Sequence, residues 1–191
     1  LDIAKATLRA GMSGLGDSRI ENIEAMRQQR ISAPIMLIRS PMLSQVERVV
    51  RNADISFNTE LSVVRRLSAA AEEAERSHGI VLMVELGDLR EGILPEDLVS
   101  AAREVMRLPN LELTGIGTNL ACHSGMAPDA DNMGALSALA DRVEAELDVK
   151  LALISGGNSA NLDWALSNSA TGRINHLRLG EAIFLGCEPL H

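Results

Sequence analysis

Residues Ser155-Gly156-Gly157-Asn158-Ser159 follow a short apolar run (Leu151, Leu153, Ile154) and precede a helical pattern that begins near Ala160. Hydroxyls and backbone N–H groups would then converge at a helix N-terminus, an arrangement that binds a phosphate dianion. The same residues also suit an ordinary strand-to-helix turn capped by Asn158 or Ser159, and the sequence leaves both readings open. Arg178 sits in an otherwise apolar stretch (Leu177, Leu179, Ala182, Ile183, Phe184, Leu185). A guanidinium there needs a partner: a carboxylate such as Glu181 or Glu85, or a ligand atom. Arg90 stands between Asp88 and Glu91, so it offers either an anion contact or a plain surface ion pair. The histidines say less. His123 has no second ligand at metal spacing, His78 reads as a helix end, His191 is terminal, and His176 opens the last strand on the face that serves stability.

These residues share a place in the pattern. Short apolar runs at 12–15, 35–38, 54–57, 80–85, 112–118, 150–154 and 176–179 read as strands. Between them lie stretches with apolar residues three and four apart, such as Ile20/Ile23/Met26, Val46/Val49/Val50, Leu61/Val64/Leu67/Ala71 and a long one over 133–147. Strand and helix alternate as in parallel βαβ units. Gly79 marks an expected helix stop, and Pro109-Asn110 turns the chain into the next strand. The polar clusters fall just after the apolar runs: Asp17-Ser18-Arg19, Arg39-Ser40, Asn58, Thr118-Asn119, and Gly180-Glu181 after Arg178. In a (β/α)8 barrel that is the working face.

The rival is an open doubly wound sheet, which places a Gly-x-Gly-x-x-Gly loop between its first strand and a helix. The nearest match, Gly115-Ile116-Gly117-Thr118-Asn119-Leu120, has Leu in place of the third glycine and runs on to Cys122 and His123. The expected fold is therefore α/β, a (β/α)8 TIM barrel that lacks strand one, filling residues 1–191 as one partial barrel domain. The 191 residues fall short of the roughly 250 usual for such a barrel, and the first residue, Leu1, lies inside a helical pattern. A chain truncated at both ends is the expectation.

Composition narrows the partners. The chain has 18 Lys+Arg against 26 Asp+Glu, a net charge of -8, so no basic face is available for a nucleic-acid backbone. Its apolar runs are far shorter than the roughly 20 residues of a membrane span. Two cysteines without zinc or C-x-x-C spacing fit a reduced, cytoplasmic setting. There are no tyrosines, and the two lysines are Lys5 and Lys150.

Five segments carry a family resemblance: Gly16-Asp17-Ser18-Arg19-Ile20-Glu21-Asn22-Ile23, Glu85-Leu86-Gly87-Asp88-Leu89-Arg90-Glu91-Gly92, Gly115 to Leu120, Ser155 to Ser159, and Leu177-Arg178-Leu179-Gly180-Glu181-Ala182. Together they resemble the alanine racemase-type, fold-type III pyridoxal-phosphate enzymes, and most of all the ornithine racemase branch. The resemblance implies an amino-acid racemase that uses pyridoxal 5'-phosphate and works as a homodimer on a free amino acid: ornithine, another basic one, or alanine. It places Asn158, Ser159, Gly180 and Glu181 around the cofactor phosphate, Arg178 at the pyridine nitrogen, Asn119 against the ring and Arg90 near the substrate. It also implies a Schiff-base lysine on strand one and a tyrosine from a partner's C-terminal β domain. Lys5 and Lys150 do not match that lysine's position, so no catalytic base is assigned within this chain. A decarboxylase or aldolase on the same scaffold, or a non-catalytic pyridoxal-phosphate carrier, are the alternatives.

Overall fold

The computed structural model describes residues 1–121, 126–167 and 170–187. Six strands are hydrogen-bonded in chain order: β1 (Leu15–Asp17), β2 (Ile35–Leu37), β3 (Ile55–Asn58), β4 (His78–Val84), β5 (Leu111–Thr118) and β6 (Leu153–Ser155). The pairing is parallel, with Leu15 opposite Ile35, Met36 opposite Ile55 and Gly115 opposite Leu153. Helices α1 (Asp2–Arg9), α2 (Ile20–Gln28), α3 (Val46–Asn52), α4 (Leu61–Glu73), α5 (Leu98–Val105), α6 (Ala130–Leu147), α7 (Leu162–Ser167) and α8 (Glu181–Leu185) complete the alternation. The residues group into two compact units, 1–80 with 104–113, and 81–103 with 114 onward.

In the first unit, α2 turns Ile20, Ile23 and Met26 inward, which is the three-residue spacing of one helix face. Asp17 starts that helix: its carboxylate accepts the Arg19 N–H at 2.8 Å and the Asn22 side-chain amide at 2.9 Å. Val46, Val49 and Val50 of α3 and Val64, Leu67 and Ala71 of α4 fill the same core. Each of the buried valine and leucine side chains contributes about 1.5–3 kcal/mol. A polar chain runs through this interior. Asn58 Nδ2 donates to Ser56 Oγ at 3.0 Å, and Ser56 Oγ lies 2.8 Å from His78 Nε2.

In the second unit, Val81 to Val84 of β4 and Ile116 of β5 are buried, as are Met133, Leu136, Ala140 and Val143 of α6. An Asp129–Asn132 capping box opens α6, and Asp148, in the left-handed region at φ 51°, ends it. The glycines of β5 serve close strand approach rather than phosphate. A Cβ on Gly115 would lie 1.9 Å from the Leu153 carbonyl oxygen, so residue 115 has no room for a side chain.

Several boundaries differ from the sequence expectation. The first strand is Leu15–Asp17 instead of 12–15, because Leu15, Gly16 and Asp17 are the residues that pair with β2. Gly79 is inside β4; α4 instead stops at Glu73, and Glu75 takes the left-handed turn at φ 52°. The expected strand at 176–179 is reduced to a single parallel bridge between Ser155 and His176.

Candidate functional site

The site lies within the second unit and is built on the residues that follow β5 and β6. After Ser155 the chain makes a turn that Gly157 enables at φ +150°, where a Cβ would come within 1.9 Å of Asn161 Oδ1. Asn158 Oδ1 then accepts the Ala160 N–H at 2.9 Å, while its Nδ2 donates to the Leu120 carbonyl at 2.9 Å. Asn161 closes the loop, accepting the Asn158 N–H at 3.2 Å and donating to the Gly156 carbonyl at 3.0 Å. Gly157→Ala is expected to cost about 2 kcal/mol, since it combines a disfavoured φ with loss of this capping pair. Urea denaturation of the full-length protein checks this; an unchanged midpoint would refute it.

The rigid loop presents Ser159, which is 3% exposed. Its Oγ accepts two backbone N–H groups from the start of α8, Gly180 at 3.1 Å and Ala182 at 3.2 Å. A Cβ on Gly180 would meet nothing within 4 Å, so the backbone at residue 180 is uncrowded on that side.

Arg178 forms the second centre. Its Nη2 donates to the Thr118 carbonyl at 2.8 Å and to Asn119 Oδ1 at 2.6 Å, and its Nη1 donates to Ser155 Oγ. These three acceptors are all neutral. Asn119 Nδ2 reaches Glu91 Oε1 at 3.4 Å, and Arg90 Nη2 donates to the same oxygen at 2.7 Å. Arg90 Nε also lies 3.7 Å from Asp88 Oδ2, whose side chain is 2% exposed. Both carboxylates thus flank Arg90. On the far side, Ser155 Oγ lies 2.9 Å from His176 Nδ1. Burial, reinforced by the Arg178 charge, pushes the His176 imidazole down to about 4.

The fold therefore brings Ser159 to Gly180, and Asn119 and Arg90 to one polar chain with Arg178. It treats two expected site residues differently: the Asn158 side chain shapes the loop, and Glu181 is exposed as the first residue of α8. Cys122 and His123 lie outside the described residues. The sequence reading named Thr118 as a strand-end residue, Glu91 as a neighbour of Arg90 and His176 as a stability residue, and gave none of them a place in the site. For His176 a signal existed, since in an extended segment it shares a side with Arg178 two residues on. Lys5 is exposed on α1, and Lys150, 91% exposed, pairs with Glu144 at 3.2 Å. Neither belongs to the site. No cluster of three or more His, Cys, Asp or Glu suited to a metal occurs among the described residues, and among them no helix is long and apolar enough to cross a membrane.

Comparison with known proteins bears directly on this arrangement. The family model described as "Alanine racemase, N-terminal domain" matches residues 1–188. The chain belongs to that family. Its fold is accordingly the family's (β/α)8 barrel, present here in part. Within the curated members, the chain is similar to ornithine racemase of Acetoanaerobium sticklandii, 38% identical over all of this chain and 54% of that protein. It is also similar to lysine racemase of Thermotoga maritima, 34% identical over 96% of this chain and 51% of the relative. The chain thus spans about half the length of these relatives. Among solved structures, PipY of Synechococcus elongatus, determined with PLP bound, superimposes with a TM-score of 0.77 at 19% identity. That match covers 96% of this chain and 86% of PipY.

Proposed function

We propose that the protein containing this chain is a pyridoxal-phosphate-dependent racemase of a free basic amino acid, with ornithine and lysine as the leading substrates. The observation that carries the reading is the pairing of two donor centres. Ser159 with the Gly180 and Ala182 N–H groups forms one, and the Arg178 guanidinium forms the other. A serine hydroxyl gathered with backbone N–H groups at the start of a helix suits a phosphate dianion. An arginine, which donates and never accepts, suits the lone pair of a pyridine nitrogen. The residues present therefore fit the phosphate and ring-nitrogen ends of the cofactor; the lysine that would hold its aldehyde carbon is not among this chain's residues in the site. The ornithine and lysine racemases similar to this chain support the substrate class.

When bound, pyridoxal phosphate supplies an electron sink for the charge left at the substrate α-carbon. Arg178 limits that sink, because it cannot take the proton of a pyridinium and so leaves the ring nitrogen unprotonated. Weak electron withdrawal favours reversible proton exchange at one carbon over transamination. Ser159 and Gly180 would hold the phosphate end, Asn119 would lie beside the ring while its Oδ1 holds Arg178, and Arg90 would meet the substrate carboxylate. The Asp88 and Glu91 carboxylates serve Arg90 in this geometry, so selection of a cationic substrate side chain falls to other groups. The intact enzyme is proposed to be a cytoplasmic homodimer in which the acid and base groups come from outside residues 1–191.

The full-length protein, loaded with pyridoxal phosphate, is expected to erase the optical rotation of L-ornithine and L-lysine faster than that of L-alanine. Loss of rotation with none of a panel of L-amino acids would refute the reading. Ser159→Ala is expected to weaken pyridoxal-phosphate binding about tenfold or more, since a hydrogen bond to a charged group is lost. Titration of the bound cofactor's absorbance measures it, and an unchanged dissociation constant would place the phosphate elsewhere.

A further inference from the structure

We propose that His176 is a positioning residue: it fixes the Ser155 hydroxyl so that a lone pair of Oγ faces the Arg178 guanidinium. The inference starts from the single hydrogen that Ser155 has to give. Ser155 is fully buried, and its Oγ meets Arg178 Nη1 and, at 2.9 Å, His176 Nδ1. Arginine donates only, so Arg178 occupies a lone pair of that oxygen. A buried hydroxyl hydrogen needs an acceptor, and the one beside it is His176 Nδ1, so we assign the hydrogen to Nδ1, the unprotonated nitrogen of a neutral ring. The imidazole is therefore the Nε2–H tautomer.

The surroundings favour this state. Burial and the neighbouring Arg178 charge depress the imidazole's proton affinity. The backbone holds the histidine in place independently, because the Gly156 N–H donates to the His176 carbonyl at 3.0 Å and the Arg178 N–H to the Gly157 carbonyl at 2.9 Å. Arg178 is then anchored at two points, Nη1 on Ser155 and Nη2 on Thr118 and Asn119. Two anchors fix the plane of a guanidinium, while one leaves it free to rotate. With an apolar residue at 176 the Ser155 rotor loses its acceptor, and the Nη1 anchor loses its orientation. His176 thus acts on the cofactor's ring nitrogen through Ser155 and Arg178, a role that rests on the pyridoxal-phosphate reading above.

The test uses the full-length protein and two readouts. Nitrogen-15 NMR at pH 7, without added cofactor, is expected to show His176 neutral with the proton on Nε2. An Nδ1–H tautomer or an imidazolium would overturn the proposal whatever the protein binds. With pyridoxal phosphate, His176→Leu is expected to shift the bound cofactor's absorbance maximum and raise its dissociation constant about fivefold. His176→Asn, which returns an acceptor near the Nδ1 position, is expected to restore both. In a Ser155→Ala background, His176→Leu is expected to add less than about twofold, because the path through Ser155 is already cut. Full additivity of the two substitutions, or no rescue by asparagine, would also overturn it. A protein that binds no pyridoxal phosphate at all would instead sink the proposed function, and the tautomer measurement would still decide the role of His176.

Discussion

Replacing Arg178 with leucine will destabilise the protein by about 3 kcal/mol and abolish measurable retention of pyridoxal phosphate. Leucine has no donor to give, so the Thr118 carbonyl, Asn119 Oδ1 and Ser155 Oγ each lose an N–H from the guanidinium. Thr118 and Ser155 are fully buried and Asn119 is 9% exposed, so water cannot readily replace it. Each acceptor left unsatisfied costs about 1–3 kcal/mol, and relief from the desolvated charge offsets part of the total. Arg178→Lys should fall between: it keeps a cation, but its compact ammonium cannot span the Thr118, Asn119 and Ser155 oxygens as a planar fork does. Urea denaturation gives the stability loss, and absorbance titration gives the cofactor affinity. If Arg178→Leu binds the cofactor as the native protein does, the guanidinium does not face the pyridine nitrogen.

The residues behind this prediction were legible in the sequence to unequal degrees. Arg178 and Ser159 announced themselves because their types clash with their neighbours: a guanidinium in an apolar run, and a serine closing a Gly-Gly-Asn turn. Their contacts did not: the resemblance placed Asn119 against the ring, but Thr118 and Asn119 lie 60 and 59 residues before Arg178 and only the folded chain joins them. His176 was missed for a related reason. A neutral imidazole beside a serine leaves no charge pattern in the sequence, and its position at a strand entrance pointed to packing. At the level of the fold, apolar runs located the strands, but β1 was misplaced because pairing to β2, not hydrophobicity, recruits Gly16 and Asp17. Gly79 failed as a helix stop for a similar cause, since its N–H donates to the Asp54 carbonyl at 2.9 Å as part of β4. The Gly115 and Gly117 pair was correctly set apart from a dinucleotide loop, yet its own purpose, close contact with β6, needed the neighbouring strand.

Acidification from pH 6.5 to 4 will destabilise the protein by about 3 kcal/mol through His78 alone. His78 is 1% exposed, and burial, with repulsion from Arg76 adding to it, pushes its imidazole down to about 4 despite opposing contributions from the Ala53 backbone and Asp54. Its Nε2 lies against the Ser56 hydroxyl, whose oxygen already accepts from Asn58 Nδ2. A neutral ring satisfies this contact, and charging it would place a cation inside the core. In the unfolded chain the same ring protonates near 6.5. Between these two values the unfolded state binds more protons than the folded state, so stability falls as pH falls, by about 1.4 kcal/mol per pH unit. His176 is depressed in the same direction and adds to the slope over the same window. Glu144, lowered to about 2 by the Leu151 N–H and then by Arg173, contributes stability that is present above 4.5 and is lost only toward pH 2. Its loss thus begins about where the histidine window closes. Urea denaturation at pH 7 and pH 5 separates the histidines: His78→Gln should be less stable at pH 7 yet lose about 2 kcal/mol less than the native protein between the two pH values. Equal losses in the two proteins would mean that His78 titrates alike folded and unfolded, and that the buried Asn58–Ser56–His78 chain does not hold the ring neutral.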